Sequence, residues 1–377
     1  MTGPLSGIRV IEVGHMLAGP YCGLLLADMG AEVIKIETAE GDIARTVSPH
    51  FIGPHNAYFA SLNRNKKSVV IDLASDAGHT QLVELVGRSH ALITNLRPSA
   101  IKKLGLTYNN LSRWNKQIVC VALTGYGLEG PYAESPAYDY VIQALTGVMA
   151  LTGDPSAPPT KAGYSAVDNS TGLVAAMGLL AKIVEGKGGQ VDVAMYDVML
   201  SQLNYLAGAA LNTGEVVERL ANSSHPYVVP AQIFPTSDGW LTLFITHDKF
   251  WHKFCREVGH PQWIDDPQFA TMASRRQNRE AVLSAIGEVL MTATAAEWVR
   301  RMAPLGVVAA EVGSLKQALE SDLARSRSLV VTLGDGSQAL RAVASPLKFD
   351  GYTPHYGLPP LLNEHHNEVL GKVHGEQ

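Results

Sequence analysis

Asp168 stands in Ala162-Gly163-Tyr164-Ser165-Ala166-Val167-Asp168-Asn169-Ser170-Thr171-Gly172, a run of small residues that opens onto an apolar segment. Leu173, Val174, Met177, Leu180 and Ile183 recur at three-to-four spacing, which predicts one buried face of a helix. Asp168, or its neighbour Asn169, is placed to cap that helix, and a carboxylate there feels the positive helix end, which favours its ionised form. An ionised carboxylate among small side chains is open to a substrate and can act as a nucleophile. Most aspartates at helix starts only cap, so this segment alone leaves both roles open.

Other chemistries find less support. Gly14, Gly19 and Gly23 lack the GxGxxG spacing of a dinucleotide site, and neither a Walker A sequence nor GxSxG occurs. Gly186-Lys187-Gly188-Gly189-Gln190 lacks the Lys-Ser/Thr of a phosphate loop and precedes an expected strand at 191–195, so it reads as a turn. Cys22, Cys120 and Cys255 form no CxxC pair, so neither a metal site nor a disulfide framework is expected; Cys120 lies in an apolar strand and reads as inert core. Asn63-Arg64-Asn65-Lys66-Lys67 is the nearest thing to a basic cluster. It runs into a strand and reads either as a solvated turn or as a phosphate contact.

These residues need a scaffold. The chain has 377 residues, 46% hydrophobic and 17% charged, which describes a well-packed protein of about two domains. A net charge of −5 and a pI near 6.2 speak against a general nucleic-acid binder. Strands are expected at 7–13, 32–37, 68–73, 91–96 and 118–123, with helices at 20–29 and 76–88. That alternation predicts an α/β fold with a mostly parallel, doubly covered sheet, whose ligands bind beyond the carboxyl ends of the strands. The loops at 14–19, 95–99 and 124–130 are therefore the ones to watch.

After a helix expected at 197–212 the pattern changes. Phe250, Trp251, Trp263, Phe269 and Trp298 predict the core of a smaller domain, and 328–333 and 340–343 read as a return to strands. Neither a secretory leader nor a membrane-length apolar run is read from the sequence; Lys182 interrupts the longest candidate. The expected compartment is a reducing cytoplasm.

With these motifs placed, the chain resembles a family III CoA-transferase, the family of the formyl-CoA and carnitine CoA-transferases. The resemblance runs through Gly7-Ile8-Arg9-Val10-Ile11-Glu12, Ala18-Gly19-Pro20, Asp28-Met29-Gly30-Ala31-Glu32-Val33-Ile34-Lys35-Ile36-Glu37 and Gly41-Asp42. It continues through Asn63 to Ser68, Asn95-Leu96-Arg97-Pro98, Thr124-Gly125-Tyr126-Gly127, Gly130-Pro131, Tyr138-Asp139 and Gln143. Gly188-Gly189-Gln190, His225-Pro226, Asp238-Gly239, Glu364-His365 and Glu368-Val369-Leu370 complete it in the same order.

The resemblance implies that Asp168 is the nucleophile, forming an acyl-aspartyl anhydride and then an aspartyl-CoA thioester. Its substrates would be an acyl-CoA and a carboxylic acid, with CoA as co-substrate and no permanently bound cofactor or metal. For the CoA side of the site it points to His15, Leu17, Ala18, Asn63, Lys66, Asn95, Arg97, Lys103, Tyr126, Tyr138 and Asp139; for the acyl side, to Ser224 and His225. Asp139 reads either as an outer group of the site or as a cap acting through Gln143. Backbone amides near Gly19 or at 223–225 are the expected oxyanion donors.

Two departures from formyl-CoA transferase stand out: Leu17 replaces a glutamine, and Ser223-Ser224-His225-Pro226 replaces a run of glycines. They favour a larger acyl group, expected to be a small dicarboxylate such as succinate, mesaconate or itaconate. A carnitine-type transferase and an α-methylacyl-CoA racemase are the alternatives. The racemase needs a histidine where Tyr138 stands.

The family's architecture predicts a Rossmann-like large domain (1–200), a linker (201–224), a smaller α+β domain (225–312), a second linker (313–329) and a return to the large domain (330–377). Two such chains would interlock as a homodimer. No nucleic-acid or membrane partner is expected.

Overall fold

The computed structural model describes residues 3–335 and 339–371; residues 336–338 and 372–377 of the expected returning segment lie outside them. The chain divides into two compact units. The first takes in Met1–Thr146, Gly163–Asn204 and Ser321–Gln377, the second Gly147–Ala162 and Tyr205–Glu320. Residues 147–162, expected in the large domain, thus cluster with the second unit. Within it Arg219 donates to the carbonyls of Asp154 and Ala157 at 3.2 and 2.7 Å.

The first unit is built on six strands: β1 (Arg9–Val13), β2 (Glu32–Glu37), β3 (Lys66–Val70), β4 (Ala91–Thr94), β5 (Val119–Thr124) and β6 (Gly189–Ala194). Their spatial order is β3-β2-β1-β4-β5-β6, and every pairing is parallel. This is the Rossmann order, which reverses direction between β1 and β4. One apolar layer packs Val10, Val33, Ile93 and Val121 under Cys22, Leu26, Ala175 and Leu179; the other packs Ile11, Ile34, Leu92 and Cys120 under Leu82, Leu85 and Ile101. Val330–Leu333 and Leu340–Val343 do return to this unit, but as a separate antiparallel pair.

The second unit has a three-stranded antiparallel sheet of Ala231–Pro235, Trp240–Phe244 and Val308–Glu311. Trp251, Trp263, Phe269 and Trp298 form its core as expected, with Phe250 partly buried beside them. The helix expected at 197–212 is two, Met195–Gln202 and Asn204–Thr213. The break falls at Asn204, whose φ is +22°.

Helix Ala166–Glu185, despite Lys182, is long and apolar enough by length and composition to cross a bilayer. The buried face is not the one expected: Ala175, Ala176 and Leu179 pack in the apolar core with helix Ala18–Asp28, Leu180 and Ile183 are partly buried against it, and Leu173, Val174 and Met177 are exposed. Gly172 permits a close approach, since a Cβ there would lie 2.8 Å from the Ala18 carbonyl.

The sheet also carries charge in its interior. Glu12 of β1 and Lys35 of β2 are register partners and both are wholly buried. Lys35 Nζ lies 2.9 Å from Glu12 and 2.9 Å from Asp42, and Lys66 Nζ lies 2.8 Å from the other oxygen of Glu12. Burial works against the charge of Glu12, but Lys35 and Lys66 outweigh it and hold its carboxyl below the ordinary range. Gly23 makes room for this pairing, because a Cβ there would stand 2.0 Å from Glu12 Oε2 and 3.2 Å from Lys66 Nζ. Gly23→Ala is therefore expected to cost about 3 kcal/mol or more, as overpacking that also displaces a buried ion pair. Denaturant unfolding checks it; a variant within about 0.5 kcal/mol of the parent would contradict this packing.

Candidate active site

The loops leaving β1 and β4 meet at the point where the strand order reverses. Asn95 joins them: its Oδ1 accepts the His15 N–H at 3.0 Å and its Nδ2 donates to the His15 carbonyl at 2.9 Å. Gly14 and Gly19 fit against this amide, with Cβ positions 2.3 and 3.0 Å from Asn95 Oδ1. These glycines thus serve close backbone approach, although their spacing matches no nucleotide fingerprint.

Asp168 lies in the first turn of helix Ala166–Glu185, whose N-cap is Ser165 without a side-chain cap bond. This corrects the expectation that Asp168 or Asn169 is the cap. The capping acceptor comes instead from Asp139, at the start of helix Asp139–Leu145. Its Oδ2 accepts the Val167 N–H at 2.8 Å and that of Asp168 at 3.5 Å, while Oδ1 accepts from Gln143 at 2.6 Å. Asp139 does bond Gln143, but the cap it supplies is made directly, by its other oxygen, to the neighbouring helix that carries Asp168.

The electrostatics of Asp168 run opposite to the helix-end argument. Burial, and secondarily the charge of Asp139, push its carboxyl up to about 7 from 3.8. The positive helix end is largely spent on Asp139, and a second carboxylate beside it is disfavoured. A basic, poorly solvated carboxylate is a stronger nucleophile than an ordinary aspartate, and attack on a carbonyl would relieve the repulsion by converting it to a neutral acyl derivative.

Asp168 opens into a cleft of about 270 Å³. Its walls include His15, Met16, Leu17 and Ala18 after β1, Asn95, Leu96 and Arg97 after β4, Thr124 at the end of β5 and Gly125 after it, and Tyr138. Arg97, Tyr138 and His15 are exposed. A neighbouring cavity of about 730 Å³ also reaches His15 and Leu96, with Val13, Ile36, Ile71 and Leu104 among its walls.

Other expected residues fall elsewhere. Lys66 and Asn63 are buried and committed: Lys66 Nζ bonds the Pro20 carbonyl and Asn63 Oδ1, each at 2.8 Å, in addition to Glu12. Neither is available to a phosphate. Arg64 is likewise buried against Asp28, with Nε 2.9 Å from Oδ1. Lys103 is exposed but does not line the cleft, and Tyr126 packs near Tyr132 and Tyr196 instead.

Ser224 and His225 belong to the second unit. There Arg279 clamps their loop, reaching Ser224 Oγ at 2.6 Å and the His225 and Pro226 carbonyls at 2.9 and 2.8 Å. The N–H groups of Tyr227 and Val228 donate to His225 Nδ1 at 3.1 and 3.2 Å, which leaves the ring proton on Nε2.

Tyr58 was not legible as a site residue, yet it lines the cleft. Its phenol is held above its ordinary value by burial and next by the charge of Asp168. The only local signal is Asn56, whose side chain accepts the Tyr58 N–H at 2.9 Å and starts the short helix Ala57–Asn63.

A family model described as CoA-transferase family III matches residues 5–366. The succinate–glutarate CoA-transferase of Agrobacterium fabrum is 32% identical over 383 residues, covering 98% of this chain and 96% of that protein. The acetyl-CoA:oxalate CoA-transferase of Acetobacter aceti is 31% identical over 370 residues, covering 96% and 94%. Among solved structures, a CAIB/BAIF family protein from Brucella suis matches with a TM-score of 0.86 and 30% identity, over 98% of this chain and 99% of that one.

Proposed function

The chain belongs to CoA-transferase family III, and on that premise we propose that it moves CoA from an acyl-CoA to a small dicarboxylate through covalent intermediates on Asp168. One observation carries the reading: a carboxyl pushed up to about 7 by burial and by Asp139 opens into a cleft at the reversal point of the sheet.

Asp168 attacks the donor thioester carbonyl, the C–S bond breaks, and CoA leaves as thiolate from an acyl-aspartyl anhydride. The thiolate then attacks the aspartyl carbonyl and releases the donor acid, leaving aspartyl-CoA. The acceptor carboxylate attacks that thioester and displaces CoA thiolate. The thiolate finally attacks the acceptor's carbonyl, giving the new acyl-CoA and free Asp168. Each tetrahedral oxyanion needs donors. Helix Ala18–Asp28 begins at the cleft with no side-chain cap on Leu17, and we assign its first amides, at Leu17 and Ala18, to that task. Asn95 and Arg97 hold CoA, the guanidinium suiting its phosphates, and the adjoining apolar-walled cavity takes the nucleotide end.

The dicarboxylate reading is supported by relatives named for succinate, glutarate and oxalate, all dicarboxylates. His225 of the second unit is held as an Nε2–H donor, a group that can meet a carboxylate. Competition of succinate, mesaconate, itaconate and carnitine for one acyl-CoA donor, read by mass spectrometry, is expected to favour the dicarboxylates. His225→Ala should lose that preference. Preference for carnitine or for a monocarboxylate of similar size would overturn the assignment.

We further propose that the protein works as an interlocked homodimer. Met177 and Val184 of helix Ala166–Glu185 are 69% and 86% exposed in the single chain, and Leu173 and Val174 are open beside them, an apolar face that a partner would cover. Light scattering should give twice the 40.4 kDa chain mass at micromolar concentration, unchanged by dilution. A 40.4 kDa species would contradict it.

A further inference from the structure

We infer that the buried Glu12–Lys35–Lys66 cluster is a positioning device for the active-site loop between β1 and helix Ala18–Asp28, with Lys66 and Lys35 as positioning residues. Each ammonium carries one bond beyond its carboxylates to this segment. Lys35 Nζ donates to the Gly14 carbonyl at 2.9 Å, and Lys66 Nζ to the Pro20 carbonyl at 2.8 Å. Asp42, which pairs with Lys35 through one oxygen, accepts the Met16 N–H at 3.0 Å through the other. The arms of the cluster therefore end at the start of the loop, at its middle and in the first turn of the helix that follows it.

That stretch supplies His15, Met16, Leu17 and Ala18 to the cleft of Asp168. It also holds Met16 at a φ of +63°, a conformation a non-glycine residue adopts only when its surroundings impose it. Stability alone is a weak reason for such a cluster, because buried ion pairs are often replaced by apolar side chains without loss. Its geometric effect is specific: the loop cannot slide without separating charges that have no water to turn to. Misplacement by about 1 Å in a group-transfer site can cost about 100-fold in rate.

The inference rests on Asp168 being the nucleophile of this cleft. That premise is tested separately, by labelling of Asp168 in the unaltered protein, so the two fail distinguishably.

The experiment compares Lys66→Met with the charge-balanced pair Glu12→Gln/Lys66→Met, which leaves Lys35 and Asp42 paired. The single variant should lose thermal stability, because Glu12 loses a counter-charge. The double variant should recover the melting temperature yet turn over about 10–100-fold more slowly, with the KM for the carboxylic acid changed less than about threefold. A double variant that recovers both stability and full kcat would overturn the inference and reduce the cluster to core. Should the double variant not fold, Met16→Gly decides, since it frees the loop's strained residue without touching a buried charge. It should keep the melting temperature and lose about tenfold or more in kcat. Undiminished turnover in Met16→Gly would equally overturn the inference.

Discussion

Asp168→Ala should abolish transfer, with kcat falling by about four orders of magnitude or more, while the fold stays intact. In the proposed mechanism every covalent step passes through this carboxylate, and among the described residues lining the cleft no other side chain is a carboxylate. The fold survives because Asp168 is not the cap of its helix; Asp139 accepts the Val167 N–H. Asp168→Asn should even stabilise the protein at alkaline pH. The native carboxyl keeps its proton up to about 7, whereas the unfolded chain releases it near 3.8. Between those values the native state binds more protons, so stability falls as pH rises, and above 7 the full cost of the buried charge is present. One pKa unit is about 1.4 kcal/mol, and partial solvent access reduces the whole to about 1–2 kcal/mol. The Asn variant should thus melt about 2–4 °C higher than the parent at pH 8, with a smaller gain at pH 5. A lower melting temperature at pH 8 would mean that the ionised carboxylate stabilises its site.

The second large effect is on the pH profile. kcat/KM reports the free enzyme, so it should climb with pH through about 7 as Asp168 ionises. At pH 5.5 about one molecule in thirty would hold the reactive form. Asp139→Asn removes the like charge while keeping a carbonyl oxygen for the Val167 N–H. The acid limb should move to lower pH but stay above the ordinary aspartate range, because burial, the larger cause, is untouched. The plateau rate should fall with the basicity of the nucleophile. A limb that stays in place in Asp139→Asn would show that burial alone sets the ionisation of Asp168.

Strand–helix alternation in the first 124 residues was enough to predict the parallel sheet, because buried parallel strands read as short apolar runs between turn signals. The loops at 14–19, 95–99 and 124–130 all contribute to the cleft, as the carboxyl-end rule implies. Lys66 shows where that reading failed. A run of basic residues resembles a phosphate contact, yet strand alternation turns Lys66 and Ser68 inward and leaves Lys67 half-exposed beside Glu32. The partner that makes an inward lysine tolerable, Glu12, lies on a strand separated by β2, so no local pattern announces it. The same holds for Asp139, whose bond to Val167 joins two helices 28 positions apart. Burial of Asp168, with the charge of Asp139 added to it, reverses the expected ionisation, a tertiary effect that helix-end reasoning does not contain. Tyr58 sits in a segment with no motif and reaches the site only through the fold.

The most direct measurement is peptide mass spectrometry of the protein after brief exposure to acyl-CoA in the absence of acceptor, with hydroxylamine added to a parallel sample. The peptide containing Asp168 should carry CoA or the acyl group, hydroxylamine should convert that adduct to a hydroxamate at Asp168, and Asp168→Ala should carry neither. Active enzyme with an unmodified Asp168, or with the adduct on another side chain, would contradict the assignment of Asp168 as the nucleophile.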